Sequence, residues 1–191
     1  MKNWLAALLL ILGLSGAADS AFATGGEYNF RFSPVVLLIG AVDLNFDIQV
    51  SPEWTVGPSL TFWKFELNST GTFTEKYSVS AFAFGARGNW FKNGVFTDGL
   101  YVGPSLQSAK VKVETRDSIG AVTGEANILI ASGIVGYGWF WDSFNMMLGG
   151  GLAVGMGGSD VTVTDSSGTT TTVKSRPTGS LALEYSLGWT F

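Results

Sequence analysis

Five charged side chains, Arg31, Asp43, Asp47, Arg87 and Glu184, sit at positions that alternate with apolar neighbours. On strands, each would turn away from the apolar face. Two guanidinium groups and three carboxylates enclosed together are expected to pair. An unpaired buried charge is costly, and the arginine fork serves several carboxylates at once. Such a set either plugs an interior and fixes its packing or lines a path as a charged gate or selectivity filter. The plug is the reading adopted, because buried ion pairs are usually structural. Other site chemistry finds little material. The 191 residues include no His and no Cys, so a serine nucleophile lacks its usual base. There is likewise no thiolate, no His/Cys metal set, no disulfide and no lipid-modified N-terminal Cys. Asp160, Asp165 and nearby hydroxyls could offer oxygens to calcium, but their spacing matches no known binding loop, and solvated loop acids are the default. No catalytic, cofactor-binding or metal-binding residue is expected.

The elements that would carry these charges are strands. From Ser180 to Phe191 the residues alternate without a break: Leu181, Leu183, Tyr185, Leu187, Trp189 and Phe191 on one face, Ser180, Ala182, Glu184, Ser186, Gly188 and Thr190 on the other. Period-two alternation marks a strand with one apolar face. The same reading gives eight strands: 27–36, 42–50, 54–65, 77–91, 100–114, 126–141, 145–157 and 180–191. The faces of the sixth, apolar on both sides, stay unassigned. Short connections follow strands two, four and six. Long polar ones, 66–76, 116–125 and 158–174, follow strands three, five and seven. The last contains Asp160–Asp165 and Thr169–Val173 and reads as a protruding hairpin, and Lys110–Glu114 suggests that strand five protrudes as well. Val56-Gly-Pro-Ser-Leu60 recurs as Val102-Gly-Pro-Ser-Leu106. Proline lacks a ladder donor, so Pro58 and Pro104 are expected at matched bulges.

Composition assigns the faces. Hydrophobic residues make up 46% of the chain and charged residues only 14%, with 26 Gly and 7 Trp, yet after residue 23 no apolar run could form a membrane-spanning helix. One strand face carries Leu, Phe, Val, Ile and Trp; the other carries Gly, Ala, Ser, Thr and the five charges. Eight strands enclose only enough space for side chains, so the small and polar face belongs inside. A soluble lipocalin-like barrel would invert this, with an apolar cavity and a polar exterior. Strand seven turns Gly149, Gly151, Ala153, Gly155 and Gly157 inward, leaving volume for Ile128, Ile130 or Ile134, or for water. Trp54, Trp90, Trp139 and Trp141 gather near the short turns, and Phe62, Trp63, Phe65 and Tyr77 near a long loop. Two aromatic belts at the strand ends are expected to meet the two membrane interfaces.

Lys2 followed by Trp4–Leu14 and Ala21-Phe22-Ala23 fits an export signal with an A-x-A cleavage site. Residues 1–23 are therefore expected to be removed and 24–191 to form the barrel. Net charge is −4 before and after cleavage, since Lys2 and Asp19 leave together, and this mild acidity argues against nucleic acid as a partner. With its signal, loop rhythm and terminal Leu181-x-Leu-x-Tyr-x-Leu-x-Trp-x-Phe191, the chain resembles the small eight-stranded bacterial outer-membrane proteins, the class of the OmpA transmembrane domain, OmpX and OmpW. The resemblance implies an all-β, antiparallel up-and-down transmembrane barrel in the outer membrane, with both termini periplasmic. Its partners would be outer-membrane lipid, the barrel-assembly machinery that reads Leu183, Tyr185, Leu187, Trp189 and Phe191, and an extracellular surface or protein ligand. Enzymes of comparable architecture rely on a catalytic histidine, which this chain lacks. The expected role is non-enzymatic, structural or surface-binding through external loops. A narrow passive pore is the alternative and a lipid-acting enzyme the last choice.

Overall fold

The computed structural model describes residues 27–38, 40–69, 75–116, 121–156, 161–164, 168–173 and 177–191. They form strands β1 (Tyr28–Phe32), β2 (Ala41–Gln49), β3 (Trp54–Ser69), β4 (Glu75–Phe91), β5 (Gly99–Arg116), β6 (Ala121–Trp141), β7 (Phe144–Met156), β8 (Val161–Thr164), β9 (Thr170–Val173) and β10 (Thr178–Thr190), and one helical turn, α1 (Pro34–Leu38). β1 to β7 and β10 close an all-antiparallel, eight-stranded barrel, sealed where β1 pairs with β10 and β5 with β6. Outside the ladder, Tyr28 and Phe191 exchange backbone hydrogen bonds of 3.0 and 2.9 Å and fasten the two ends of the described chain together.

The wall is staggered. Arg31 pairs with Asn45, and the partners continue through Ser59, Gly85, Gln107, Ile130 and Gly155 to Thr178. On β10, however, Arg31 itself lies opposite Gly188, ten residues further along. A closed sheet with such a stagger needs strands tilted by about 40°. Short turns join β2 to β3, β4 to β5 and β6 to β7 at one end, below called the lower end. The last is the two-residue loop Asp142-Ser143, with Asp142 at φ 51°, the left-handed conformation that suits the twist of a tight hairpin.

Pleat parity decides every facing. Buried Thr55, Ser59, Arg87, Asn89, Tyr101, Met147, Glu184 and Ser186 point inward; Trp54, Val56, Phe62, Phe82, Phe84, Leu106, Leu152 and Leu183 point outward and are exposed. Strand six is settled by the same parity: Ile134 is buried, Ile128 and Ile130 are half-buried, and Leu129, Val135, Tyr137 and Trp141 are exposed on the outer face. The outward apolar run covers Trp54–Phe62 on β3 and Leu129–Trp141 on β6. At ~3.3 Å per residue and the tilt above, that is a band about 20–30 Å tall.

Four expectations need correction. The first strand ends at Phe32 and not at Val36. Pro34 supplies no ladder donor, its fixed φ suits the first turn of a helix, and α1 follows. Gly40, at φ 84°, then reverses the chain into β2. Second, 66–76 and 116–125 are mostly strand: β3 and β4 pair out to Ser69↔Glu75, and β5 and β6 out to Arg116↔Ala121. Glu66, Thr123 and Glu125 in these stretches are exposed. Third, Pro58 and Pro104 do not bulge. The β2–β3 ladder skips the rungs between Asn45↔Ser59 and Ile48↔Val56 and resumes in the same register. The β4–β5 ladder does likewise around Pro104. Each proline removes a donor without adding a residue. Fourth, Trp63 and Phe65 lie on the inner face, not in an outer belt; Phe62 alone of that cluster is seen to face out. The expected hairpin within 158–174 is present as β8 and β9, with β8 paired to β6 at Thr123–Glu125. Gly157, Asp160 and Asp165 lie outside the described residues.

Glycines on β7 make room for large inward side chains. A Cβ on Gly149 would sit 2.5 Å from the Tyr101 hydroxyl and 2.6 Å from Ile134 Cγ2. Tyr101 and Ile134 form the apolar core of the lower barrel with Phe91 and Met147. Gly149→Val is expected to lower stability by about 1–3 kcal/mol through overpacking, read as a lower urea midpoint for the refolded protein; an unchanged midpoint would refute this packing.

Candidate functional site

The inward charges converge in the lower half of the barrel. Arg31, fully buried on β1, donates Nε and Nη2 to the two Asp47 oxygens at 2.7 and 3.1 Å, and Nη1 to Glu184 Oε1 at 2.5 Å. Arg87 on β4 donates Nη2 to Glu184 Oε2 at 2.5 Å and Nε to Asn89 Oδ1 at 2.8 Å. Asn89 donates in turn to Asp47 Oδ1 at 2.9 Å. The contacts therefore close a ring: Asp47, Arg31, Glu184, Arg87, Asn89 and back to Asp47. It joins β1, β2, β4 and β10 across the lumen. Two cations face two carboxylates, so the ring is formally neutral.

Neutral groups add further hydrogen bonds around the ring. Tyr101 Oη donates to Glu184 Oε2 at 2.7 Å, and Asn29 to Asp47 Oδ2 at 3.3 Å. Ser186 accepts from Arg31, and Asn145 donates to Asn29 at 2.8 Å. Two glycines seat the guanidinium chains. A Cβ on Gly103 would lie 2.6 Å from Arg87 Nη2, and one on Gly188 2.5 Å from Arg31 Cγ. The glycine of the second Val-Gly-Pro-Ser-Leu copy thus has a use that the repeat alone did not reveal. Asn29, Asn89, Tyr101, Asn145 and Ser186 escaped sequence reasoning because neutral polar residues on an inward face carry no sign of which charge they serve. Parity with Arg31, Arg87 and Glu184 was the available signal.

Below the ring, Phe91 meets Phe96 and Phe140 edge to face and Phe96 and Phe140 pack at a tilt, all with centroids 6.0–6.3 Å apart, and so narrow the short-turn end. Asp43 does not join the ring. It accepts from Thr61 Oγ1 at 2.9 Å and from Asn45 at 3.4 Å, higher in the lumen. Its four-residue displacement from Asp47 preserves the face but moves it about 13 Å along the strand. Thus the structure brings together Arg31, Asp47, Arg87 and Glu184 and leaves Asp43 apart.

The remaining singled-out residues lie on the outer surface. Leu183, Tyr185, Leu187 and Trp189 follow one another along the outer face of β10. Trp189 stacks on Phe32 at 6.0 Å and meets Phe144 edge-on at 5.6 Å; Phe191 packs beside Tyr28 and Phe46. Trp54, Trp90, Trp139 and Trp141 all lie by the short turns, with Trp90 Nε1 donating to Glu53 at 3.0 Å. Higher up, the outer face is charged. Lys64–Glu66, Lys110–Glu125 and Lys112–Glu114 pair at 2.6, 3.1 and 2.7 Å on exposed side chains. Hydrogen bonding to Glu66 and to Glu114 raises the Lys64 and Lys112 ammonium groups above their ordinary range. Among the described residues, no three His, Cys, Asp or Glu side chains converge to hold a metal.

Compared with protein-family models, curated proteins and solved structures, the chain matches none of them. Fold and site define a closed eight-stranded antiparallel β-barrel whose lower lumen is filled by a neutral ionic ring.

Removing one member of a buried ion pair strands the other charge and costs about 3–5 kcal/mol. Glu184→Gln is expected to lower unfolding stability by that order, and Asp43→Asn by about 1 kcal/mol or less, since the amide can still accept from Thr61. Denaturant titration of the two refolded variants separates ring from bystander; equal losses would show that Asp43 belongs to the same network.

Proposed function

We propose that the protein is an integral outer-membrane barrel, non-enzymatic and closed to solutes, that acts at the cell surface through the elements above its membrane band. One observation carries the membrane reading: large apolar side chains lie exposed on the outer face of strand after strand, in a continuous band (Trp54, Phe62, Phe84, Leu106, Val135, Leu152 and Leu183 among them). A soluble monomer rarely exposes apolar patches beyond a few hundred Å². A bilayer solvates such a band, and its height suits the apolar belt of an outer-membrane barrel, about 25 Å. The eight strands and the staggered closure favour the class of the OmpA transmembrane domain, OmpX and OmpW. Short turns on one side, with Tyr28 and Phe191 beside them, favour periplasmic termini, insertion by the barrel-assembly machinery through the terminal strand, and outward-directed long connections. Absence of histidine from the sequence is the reason no lipid-processing activity is proposed.

The protruding part supplies the surface for partners. β8 and β9 continue the wall beyond β7 and β10, and such edges can bind an extracellular protein by strand addition. Deleting residues 159–174 is expected to leave refolding intact and abolish surface binding; a deletion that binds normally would remove the hairpin from consideration. The pore alternative meets the ring and the Phe91–Phe96–Phe140 cluster in series. Refolded protein inserted into planar bilayers is therefore expected to be electrically silent. Discrete steps whose size changes in Arg87→Gln or Asp47→Asn would overturn the closed reading in favour of a selective pore.

A further inference from the structure

The barrel wall exchanges its two faces part-way up. In the lower part, apolar residues point out and polar ones in. On β3 the outward series Trp54, Val56, Leu60, Phe62 gives way to Lys64 and Glu66, while the inward series Thr55, Ser59, Thr61 gives way to Trp63 and Phe65. On β5 the outward Leu100, Val102, Leu106 is followed by Ser108, Lys110 and Lys112, and the inward Ser105 and Gln107 by Ala109, Val111 and Val113. The register across β3–β4, β4–β5 and β5–β6 keeps its parity throughout, so no slipped strand accounts for the switch. The result is an upper chamber whose outside carries three ion pairs and whose inside carries Trp63, Phe65, Val79, Val111, Val113 and Ile128. Inward-facing Phe65 and Val113 remain 47% and 40% exposed, so side chains of the described residues do not fill the chamber. Its floor is polar: Ser105 and Ser132 share a hydrogen bond of 2.6 Å, Gln107 donates to Ser59 at 2.8 Å, and Asp43 accepts from Thr61 at 2.9 Å.

The chamber also has a gap in its wall. β1 stops at Phe32, opposite Leu187 and Leu44. Above that point, among the described residues, no strand pairs with β10 on its β1 side, while β2 continues up to Ala41. The last links are from Ser33, whose N–H donates to Asp43 O at 3.1 Å and whose hydroxyl donates to Tyr185 O at 2.6 Å. Among the described residues, the single turn of α1 stands between β2 and β10 and touches both, with Leu38 82% exposed. Leu183 and Leu181 on the open edge strand are 86% and 81% exposed. Exposed Leu38, Leu181 and Leu183 thus place apolar surface on both sides of this opening.

We infer that the upper chamber binds a single aliphatic chain of the fatty-acyl kind, exchanged with the bilayer through the gap between β2 and β10. The inference rests on the membrane reading above. The occupant is apolar because, above Asp43 and its Thr61 partner, the inward side chains are Trp63, Phe65, Val79, Val111 and Val113. It is narrow because eight strands leave room for little more than side chains or one small ligand. The bilayer is its source because the gap opens at the height of the outer band.

The test uses the full chain in phosphatidylcholine liposomes with stearic acid bearing a chain-terminal diazirine, photolysed and mapped by mass spectrometry. Labelling of Trp63, Phe65, Val111 or Val113 that excess unlabelled stearate competes away is expected, with uncompeted labelling on outward Phe84 and Leu183 as bulk-lipid background. Val113→Asp and, separately, Phe65→Asp should each reduce the competed fraction by roughly tenfold or more, given the cost of leaving a charge in an apolar site. Two variants guard against one failing to fold. Insertion with labels on the outer band alone would overturn the chamber while leaving the membrane reading standing. Failure of the folded protein to insert would overturn both.

Discussion

Everything in the lower barrel depends on keeping two arginines and two carboxylates dry in a neutral ring. Arg31 bridges Asp47 and Glu184, and Arg87 completes the circuit. Because the members sit on β1, β2, β4 and β10, the ring spans the seam where first and last strands meet. It therefore specifies closure in a way that the β1–β10 ladder, only four residues long, would do weakly. Neutrality matters as much as proximity: desolvating an odd charge would cost several kcal/mol that no further contact offsets. Gly103 and Gly188 follow from this demand, since a side chain at either would occupy the space of an arginine. So does the small, hydroxylated inner face around the ring.

Much of this was legible in the residues. The clean alternation of β2 and β10 fixed their faces, and composition told inside from outside, because a narrow lumen admits only small or paired polar groups. Arg31, Asp47, Arg87 and Glu184 could be named as inward partners from parity alone. What parity cannot supply is height. Asp43 and Asp47 share a face, yet the tilt of the wall and their four-residue separation place one in the ring and the other with Thr61. Tyr101, Asn29 and Asn89 depend on neighbours brought in by the stagger of ten residues, which no local pattern encodes. The strands beyond Phe65 and Glu114 were hidden for another reason. Charged residues at every second position look like loop when the wall is assumed to be greasy outside along its whole length.

That assumption is where the two architectures considered for this sequence meet. A membrane barrel is apolar outside and polar inside; a lipocalin-like barrel is the reverse. The side-chain pattern of this chain is the first below and the second above, on the same uninterrupted strands. The change of face needs no bulge, because substitution at constant parity is enough: Lys64 replaces the next apolar residue on the outer face of β3 as Trp63 replaces the next hydroxyl on its inner face. Nor do the prolines at Pro58 and Pro104 disturb it, since each only omits rungs and keeps register.

The shortness of β1 ties these halves together. A longer first strand would pair with β10 up to Thr178 and seal the wall, but Pro34 ends it and α1 takes the remaining residues. Barrels ordinarily abolish edges because free edges invite misassociation, so an edge kept open on β10 needs a reason. The ionic ring lies below the opening, and the seam is already held by Arg31 and by the Tyr28–Phe191 hydrogen bonds. Closure and stability are thus concentrated at the lower end, which leaves the upper end free to be incomplete. On the proposed reading the two halves have separate tasks: the lower half blocks solutes, and the upper half is reached from the side.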